Sequence, residues 1–325
     1  MGIVGAMTRV CLVLIVAWTA SACAQNFPNR SIRLVVPLAA AGAGDIVART
    51  VAVKLSEMWG QQIVIDNRPG ANTIIGTDLV AKAKPDGYTW LLGVQGSLSI
   101  NPATYSKLPY DAERDFDPVT QMTRYGYVLV VHPALPVRNV AELIALGRAR
   151  PGQLAYGTSG TGGSNHLAGE SFRLATRLKM DAIPYKGSAP ALTALLSGDV
   201  PIMFDTLITS IPLLKAGRLR ALGVTLPRRA ASLPEVPTIA ETGVRGYEFT
   251  AWQSIVVPAG TDKGIIGRIH ADVIKVLALP DVRRKLVDEG ANDLVGSTPE
   301  ALARLIHTDI QRYRKLIADA GIHIE

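Results

Sequence analysis

Short apolar runs alternate with amphipathic stretches along most of this chain, and no other feature limits its fold so tightly. Ile32–Val36 (IRLVV) reads as a buried strand. Residues 45–59 follow with Val47, Val51, Leu55 and Met58 at helical spacing. The same order recurs: a strand at 62–66, a helix near 76–84, a strand at 88–93. Beyond it come a strand at 127–131, then a helix opened by Asn139 three residues before Glu142, as in a capping box. Leu154–Thr158 is a further strand, a helix starts at about Ser164, and strands are expected near Ile183, near Ile202 and over 220–225. Such alternation is the signature of parallel sheets covered by helices, an α/β fold. The last third is helical, with segments at 263–279, from Asp281, and from the Thr298-Pro299 pair to about Ala320. No internal repeat or low-complexity linker interrupts the chain.

At 325 residues, 48% hydrophobic and 19% charged, the composition excludes disordered, collagen-like and disulfide-scaffold chains and is long enough for two domains. The charge of +7 is scattered, with no basic run interleaved with aromatics, so nucleic acid is not an expected partner. At the N-terminus Arg9 precedes an apolar run at 10–18, followed by Ala20, Ser21, Ala22, Cys23 and Ala24. This pattern is that of a secretory signal peptide spanning 1–24. Cleavage after Ala24 leaves a chain from Gln25 with no cysteine, hence no disulfide or cysteine metal cluster. A lipid anchor at Cys23 is the rival outcome, with Ala20 standing where such signals carry Leu. Export to the periplasm removes nucleotides as default ligands, and no cofactor is expected.

Two glycine-rich turns lie where chemistry can collect. Leu38, Ala39, Ala40, Ala41, Gly42, Ala43, Gly44 and Asp45 link the first strand to the first helix. Small residues let a ligand approach the backbone, and a helix N-terminus offers free N–H groups to an anion. The alternative is a tight turn that Asp45 merely caps. The turn lacks a phosphate-loop lysine and the glycine spacing of a dinucleotide fingerprint. Ser159, Gly160, Thr161, Gly162, Gly163, Ser164, Asn165 and His166 form the second turn, richer in hydroxyls and suited to a carboxylate. Its alternative is a flexible loop capped by Ser164. No Gly-x-Ser-x-Gly frame surrounds Ser159, so a secreted hydrolase is not supported, and His166 reads as an orienting or packing residue. The other histidines show no metal spacing. Gln95 to Ser99, including Ser97, form a polar turn after a strand, and Asp205 ends another, either to meet a ligand or to cap the next helix.

Several segments together resemble one family: Ile32-Arg33-Leu34-Val35-Val36-Pro37, Asp66-Asn67-Arg68-Pro69-Gly70-Ala71, Lys84-Pro85-Asp86-Gly87-Tyr88-Thr89, His166-Leu167-Ala168-Gly169-Glu170 and Pro184-Tyr185-Lys186-Gly187. Gly217-Arg218-Leu219-Arg220 and Pro258-Ala259-Gly260 continue the match in the same order. The sequence is similar to the Bug-type extracytoplasmic solute receptors of tripartite tricarboxylate transporters. The resemblance implies a type II periplasmic binding protein: two α/β domains, a two-segment hinge and a ligand cleft between them. On that pattern the first domain combines 25–127 with 247–325, and the second is 128–246. It implies a monomeric, non-enzymatic receptor that closes on a small carboxylate and delivers it to an inner-membrane permease. The rival role is a co-receptor that presents the closed form to a membrane sensor kinase. Carried over by position, the ligand loops are residues 38–45 and 159–166, with Gln95, Ser97 and Asp205 beside them. One departure stands out: the family usually has adjacent glycines before the aspartate, where this chain has Ala41 and Ala43. Thr206 likewise replaces an Asn often found after Asp205.

Overall fold

The computed structural model describes residues 27–289 and 293–321, so the expected signal segment lies outside the described residues. Strand β1 (Ile32–Val36), rich in β-branched residues, is buried almost throughout. It feeds α1 (Ala43–Trp59), which buries Val47, Ala48, Val51, Ala52 and Leu55 along one face and ends at Gly60, left-handed at φ 63°. β2 (Ile63–Asn67), α2 (Ile74–Ala81) and β3 (Thr89–Val94) repeat the unit. β1 lies between β2 and β3, all parallel. After β3 a π-helical turn (Gly96–Ile100) runs into the short helix α3 (Asn101–Thr104).

β4 (Phe116–Val131) is sixteen residues long and serves two groups of strands. Its first part pairs antiparallel with β9 (Thr250–Pro258), which in turn pairs antiparallel with β3. Its second part, from Tyr127, pairs antiparallel with β7 (Ile202–Thr206) and β8 (Arg220–Val224). Between these come α4 (Val140–Ala149), β5 (Leu154–Thr158), α5 (Ser164–Thr176), β6 (Met180–Pro184) and α6 (Ser188–Ser197). β5 is parallel to both β6 and β7, and α7 (Leu207–Lys215) follows β7. The strand path is β2-β1-β3-β9-β4-β7-β5-β6, with β8 and β10 (Asp293–Leu294) branching from β4. Helices α8 (Lys263–Ala278), α9 (Pro280–Arg283) and α10 (Pro299–Ala320) complete the chain. This is a mixed-sheet α/β architecture.

The change of partners along β4 is abrupt. Gly126 opposes Thr250 of β9, while Tyr127 opposes Thr206 of β7. Buried Thr225 knits the crossing: its Oγ1 accepts the Tyr127 N–H (2.8 Å) and donates to the Phe249 carbonyl (2.6 Å). A Cβ at Gly126 would lie 2.6 Å from Leu226 Cγ, so the strand passes this point only without a side chain. Separate cores sit on either side. Val36, Val47, Trp90 and Ile255 belong to one, and Tyr156, Phe172 and Phe204 to another.

Candidate functional site

The first glycine-rich turn is held by a carboxylate. Asp45 Oδ2 accepts the Ala41 N–H (3.0 Å) and Arg49 Nε (2.8 Å), and Oδ1 accepts Asn67 Nδ2 (3.0 Å). The same Asn67 amide donates to the Leu38 carbonyl (3.2 Å). Asp45 is therefore not the helix cap. Gly42 occupies that position, α1 begins two residues earlier than its periodicity implies, and Asp45 reaches back from the third helical residue. Burial pushes its carboxyl up, but Arg49, the Ala41 N–H and Asn67 together hold it below the usual carboxylate range. Ala41 adopts φ 62°, a left-handed conformation that favours glycine. Leu38 lies over the start of α1, where a Cβ at Gly44 would meet its Cδ1 at 2.5 Å. The first helical bond runs from Ile46 N to the Gly42 carbonyl (3.0 Å), so the Ala43, Gly44 and Asp45 N–H groups precede it and face outward from the helix end.

The second turn repeats this design with neutral groups. Asn165 Oδ1 accepts both the N–H (3.2 Å) and Oγ (2.8 Å) of Ser159. His166 Nδ1 accepts the Gly162 N–H (3.0 Å), which leaves the ring proton on Nε2. Burial pushes the His166 pKa down, against the opposing pull of Glu170, and the ring stays neutral near pH 7. Tyr156 stacks beside it, ring centres 6.4 Å apart and nearly parallel, and donates to Glu170 Oε1 (2.8 Å). Leu167 N makes the first helical bond, to Gly163 (3.0 Å), so the N–H groups of Ser164, Asn165 and His166 precede it. The Ser159 proton goes to an amide oxygen and the Nδ1 lone pair of His166 is taken by the backbone, so the two form no nucleophile–base pair in this geometry.

The remaining predicted positions divide. Gln95 and Ser97 point inward. Gln95, 2% exposed, donates to the Thr250 carbonyl (3.1 Å) and to Asp309 (3.3 Å), and the Ser97 hydroxyl closes on the Val94 backbone. Asp205, also 2% exposed, accepts the hydroxyls of Thr209 and Ser210 (both 2.7 Å) and so ties down the start of α7. Burial pushes its carboxyl up, and those hydroxyls oppose the shift. Ala40, Ala41 and Thr161 are exposed, while Leu38, Ala39, Gly42, Ser159, Gly160 and Ser164 are half-buried and Gly162 buried.

The two turns belong to opposite ends of β4, yet their surroundings meet. A Cβ at Gly187, whose φ is 115°, would sit 3.6 Å from the Ala39 Cβ. Gly160 in turn lies beside the Tyr185 carbonyl, so residues 185–187 connect the second turn to the first. Ile208, two residues into α7, packs against the core of β1, α1 and β9. The sequence pattern did not point to Asn67 or Ile208 as part of the site. Asn67 was within reach of inference, since it ends the strand parallel to β1 and must lie beside the first turn. Among the described residues no group of three His, Cys, Asp or Glu side chains is placed to hold a metal. No helix among them is long and apolar enough to cross a membrane.

What this arrangement offers is two helix N-termini, each equivalent to about half a positive charge, beside backbone turns braced by side chains. Comparisons with known proteins match the chain over most of its length. Residues 47–322 match the model of the tripartite tricarboxylate transporter family receptor. BugT of Bordetella pertussis is 33% identical over 303 residues, covering 93% of both chains. Among solved structures, Rpa4515 of R. palustris with adipate superposes with a TM-score of 0.89 at 40% identity, over 91% of this chain and 99% of that one. MatC of Rhodopseudomonas palustris with bound malate gives 0.84 at 30% identity, over 90% and 100%.

Proposed function

The chain belongs to the tripartite tricarboxylate transporter receptor family, and from that premise we propose that it is a periplasmic receptor for a small carboxylate, which it captures by closure of two lobes and hands to an inner-membrane permease. We take the lobes to divide at the Gly126–Thr250 pair, 27–126 with 250–321 against 127–249, a few residues from the 25–127 with 247–325 and 128–246 expected from the sequence. The observation that carries the reading is the facing pair of braced turns. Each ends in a helix N-terminus, and each has its own charged or ring group turned back into the turn, Asp45 onto Arg49 and His166 onto Gly162. A carboxylate between them receives backbone N–H groups and two helix dipoles and meets no competing anion from the turns. Such bonds to a charged group contribute about 1.5–3 kcal/mol each. Adipate and malate, bound by the two R. palustris relatives, are the first ligands to try.

The test is thermal unfolding of the mature protein, from Gln25, against adipate, malate, citrate and aromatic acids, each beside its amide or ester. A ligand at about 100 times its Kd stabilises by about 2.7 kcal/mol. At about 2–4 °C per kcal/mol that is a shift of several degrees. A shift that vanishes when the carboxylate is masked is the expected result. Equal shifts with acid and ester, or none across the panel with folded and ligand-free protein, would overturn the reading.

A further inference from the structure

The C-terminal helix serves two cores. Its apolar stripe begins with Leu302, Ile306 and Ile310, which pack with Val35, Leu91, Trp252 and Val256 of the first lobe. Polar bonds reinforce that anchorage: Asp309 accepts Trp252 Nε1 (2.8 Å) and Gln95 Nε2 (3.3 Å). One turn later the same stripe changes allegiance. Tyr313 and Ile317, with half-buried Leu316, belong to a core that joins Ile100 and Ala251 of the first lobe to Leu167, Phe172 and Tyr247 of the second. The Tyr313 ring lies 6.3 Å from that of Phe249, and α10 packs against α5, the helix that carries His166 at its start.

We propose that the last two turns of α10 are a strap, a third link between the lobes that is separate from the two crossing strands and holds the closed arrangement in which Gly187 faces Ala39. The inference rests on the receptor reading, since it requires the lobes to move about the Gly126–Thr250 crossing. A helix is stiff, and α10 is fixed to the first lobe over its first three turns. Rotation of the second lobe must therefore shear α5 and Phe249 past Tyr313 and Ile317. Close-packed side chains interdigitate well in one arrangement and poorly in others, so this contact favours the state in which it is made. Tyr313 is fully buried and Ile317 is 8% exposed, which places the contact inside the closed form rather than on its surface. Ligand affinity is then set partly by residues that lie in neither turn, because a binding-competent state that is less populated lowers the apparent affinity in proportion.

The experiment compares Ile317→Ala with Leu302→Ala in the mature protein. Both remove an apolar side chain from the same stripe, but Leu302 touches only the first lobe. Small-angle X-ray scattering without ligand reads the mean opening, titration with adipate reads affinity, and melting confirms the fold. The strap predicts a larger radius of gyration for Ile317→Ala and about 5–20-fold weaker adipate binding, while Leu302→Ala lowers the melting temperature and matches the wild type in scattering. Should the alanine variant not fold, Ile317→Val gives the same direction at smaller size. Unchanged scattering in the Ile317 variants, or equal expansion in Leu302→Ala, overturns the strap. A wild type whose scattering and melting respond to no carboxylate overturns the receptor reading instead, and if adipate alone fails to bind, scattering decides.

Discussion

Replacing Gly169 by alanine separates helix propensity from packing. In the middle of α5 the change should stabilise by about 1 kcal/mol on propensity alone. The structure predicts the opposite. A Cβ at Gly169 would lie 2.2 Å from Tyr156 Cε2, 2.6 Å from Cζ and 3.0 Å from Cδ2. Ordinary contact needs more than 1 Å of relief, and the ring is fully buried against Phe204 and the His166 ring. Overpacking of this kind costs about 1–3 kcal/mol. Displacing the ring also strains the 2.8 Å bond from Tyr156 to Glu170, a buried hydrogen bond to a carboxylate of about 1.5–3 kcal/mol. Less the propensity gain, the net loss is about 1.5–5 kcal/mol, or roughly 3–20 °C in melting temperature. Calorimetry of Gly169→Ala in the wild type and in a Tyr156→Leu background tests the cause. With the ring removed, the alanine should cost less than about 1 kcal/mol, as uncoupled sites do. An equal loss in both backgrounds would refute the steric argument, and a gain in the wild type would refute it outright.

Asp45→Asn keeps the shape of the first turn's brace but not its charge on Arg49. Carboxylate affinity should fall about tenfold with only a few degrees lost in melting, and calorimetric titration beside a melt distinguishes this from a collapse of stability at unchanged affinity. Ala41→Gly relieves the left-handed φ of 62°, and a gain of about 0.5–1 kcal/mol is expected, read as a small rise in melting temperature. His166 has a depressed pKa, so the unfolded chain binds its proton first as pH falls. The contribution of the neutral ring is complete above the ordinary histidine value of 6.5 and is lost as pH drops below it towards the folded pKa. His166→Asn should flatten that part of the stability profile between pH 7 and 5, and an unaltered slope would show that the ring does not titrate on unfolding. Asp45, also depressed, contributes in a separate window, complete above the ordinary aspartate value of 3.8 and fading below it.

Periodic segments bounded by turn residues were legible from the sequence. Ile32–Val36 and Leu154–Thr158 form strands over the expected residues, and Asn139 caps α4 by accepting the Glu142 N–H (2.8 Å). The start of α1 was missed because Gly42 caps it without a side chain, leaving Asp45 as the visible but misleading signal. The first part of β4 was missed for another reason. Pro118, Thr120, Gln121 and Thr123 break apolar alternation, yet the last three are buried, their polar atoms satisfied by partners such as Ser297 and Gln253 that lie far along the chain. Gln95 shows the same limit within the site. A polar residue at a strand end reads as facing a ligand, but its partners are on β9 and α10, which local sequence does not place beside it. The stripe on α10 was visible as a single face, whereas its division between two cores depends on where the crossing strands set the second lobe.

The insertion of β9 between β3 and β4 has a consequence in time. Leu91 pairs with Val256, and β3, parallel to β1 on its other side, has no second neighbour until that strand arrives. The first lobe's sheet therefore stays in two pieces, β2-β1-β3 and β4, until residues 250–258 have been made. Pairings so distant in sequence are slow to form, since loop closure must precede any contact that rewards it. In this member of a solute-receptor family, the strand that finishes the first lobe's core therefore arrives late, at residues 250–258.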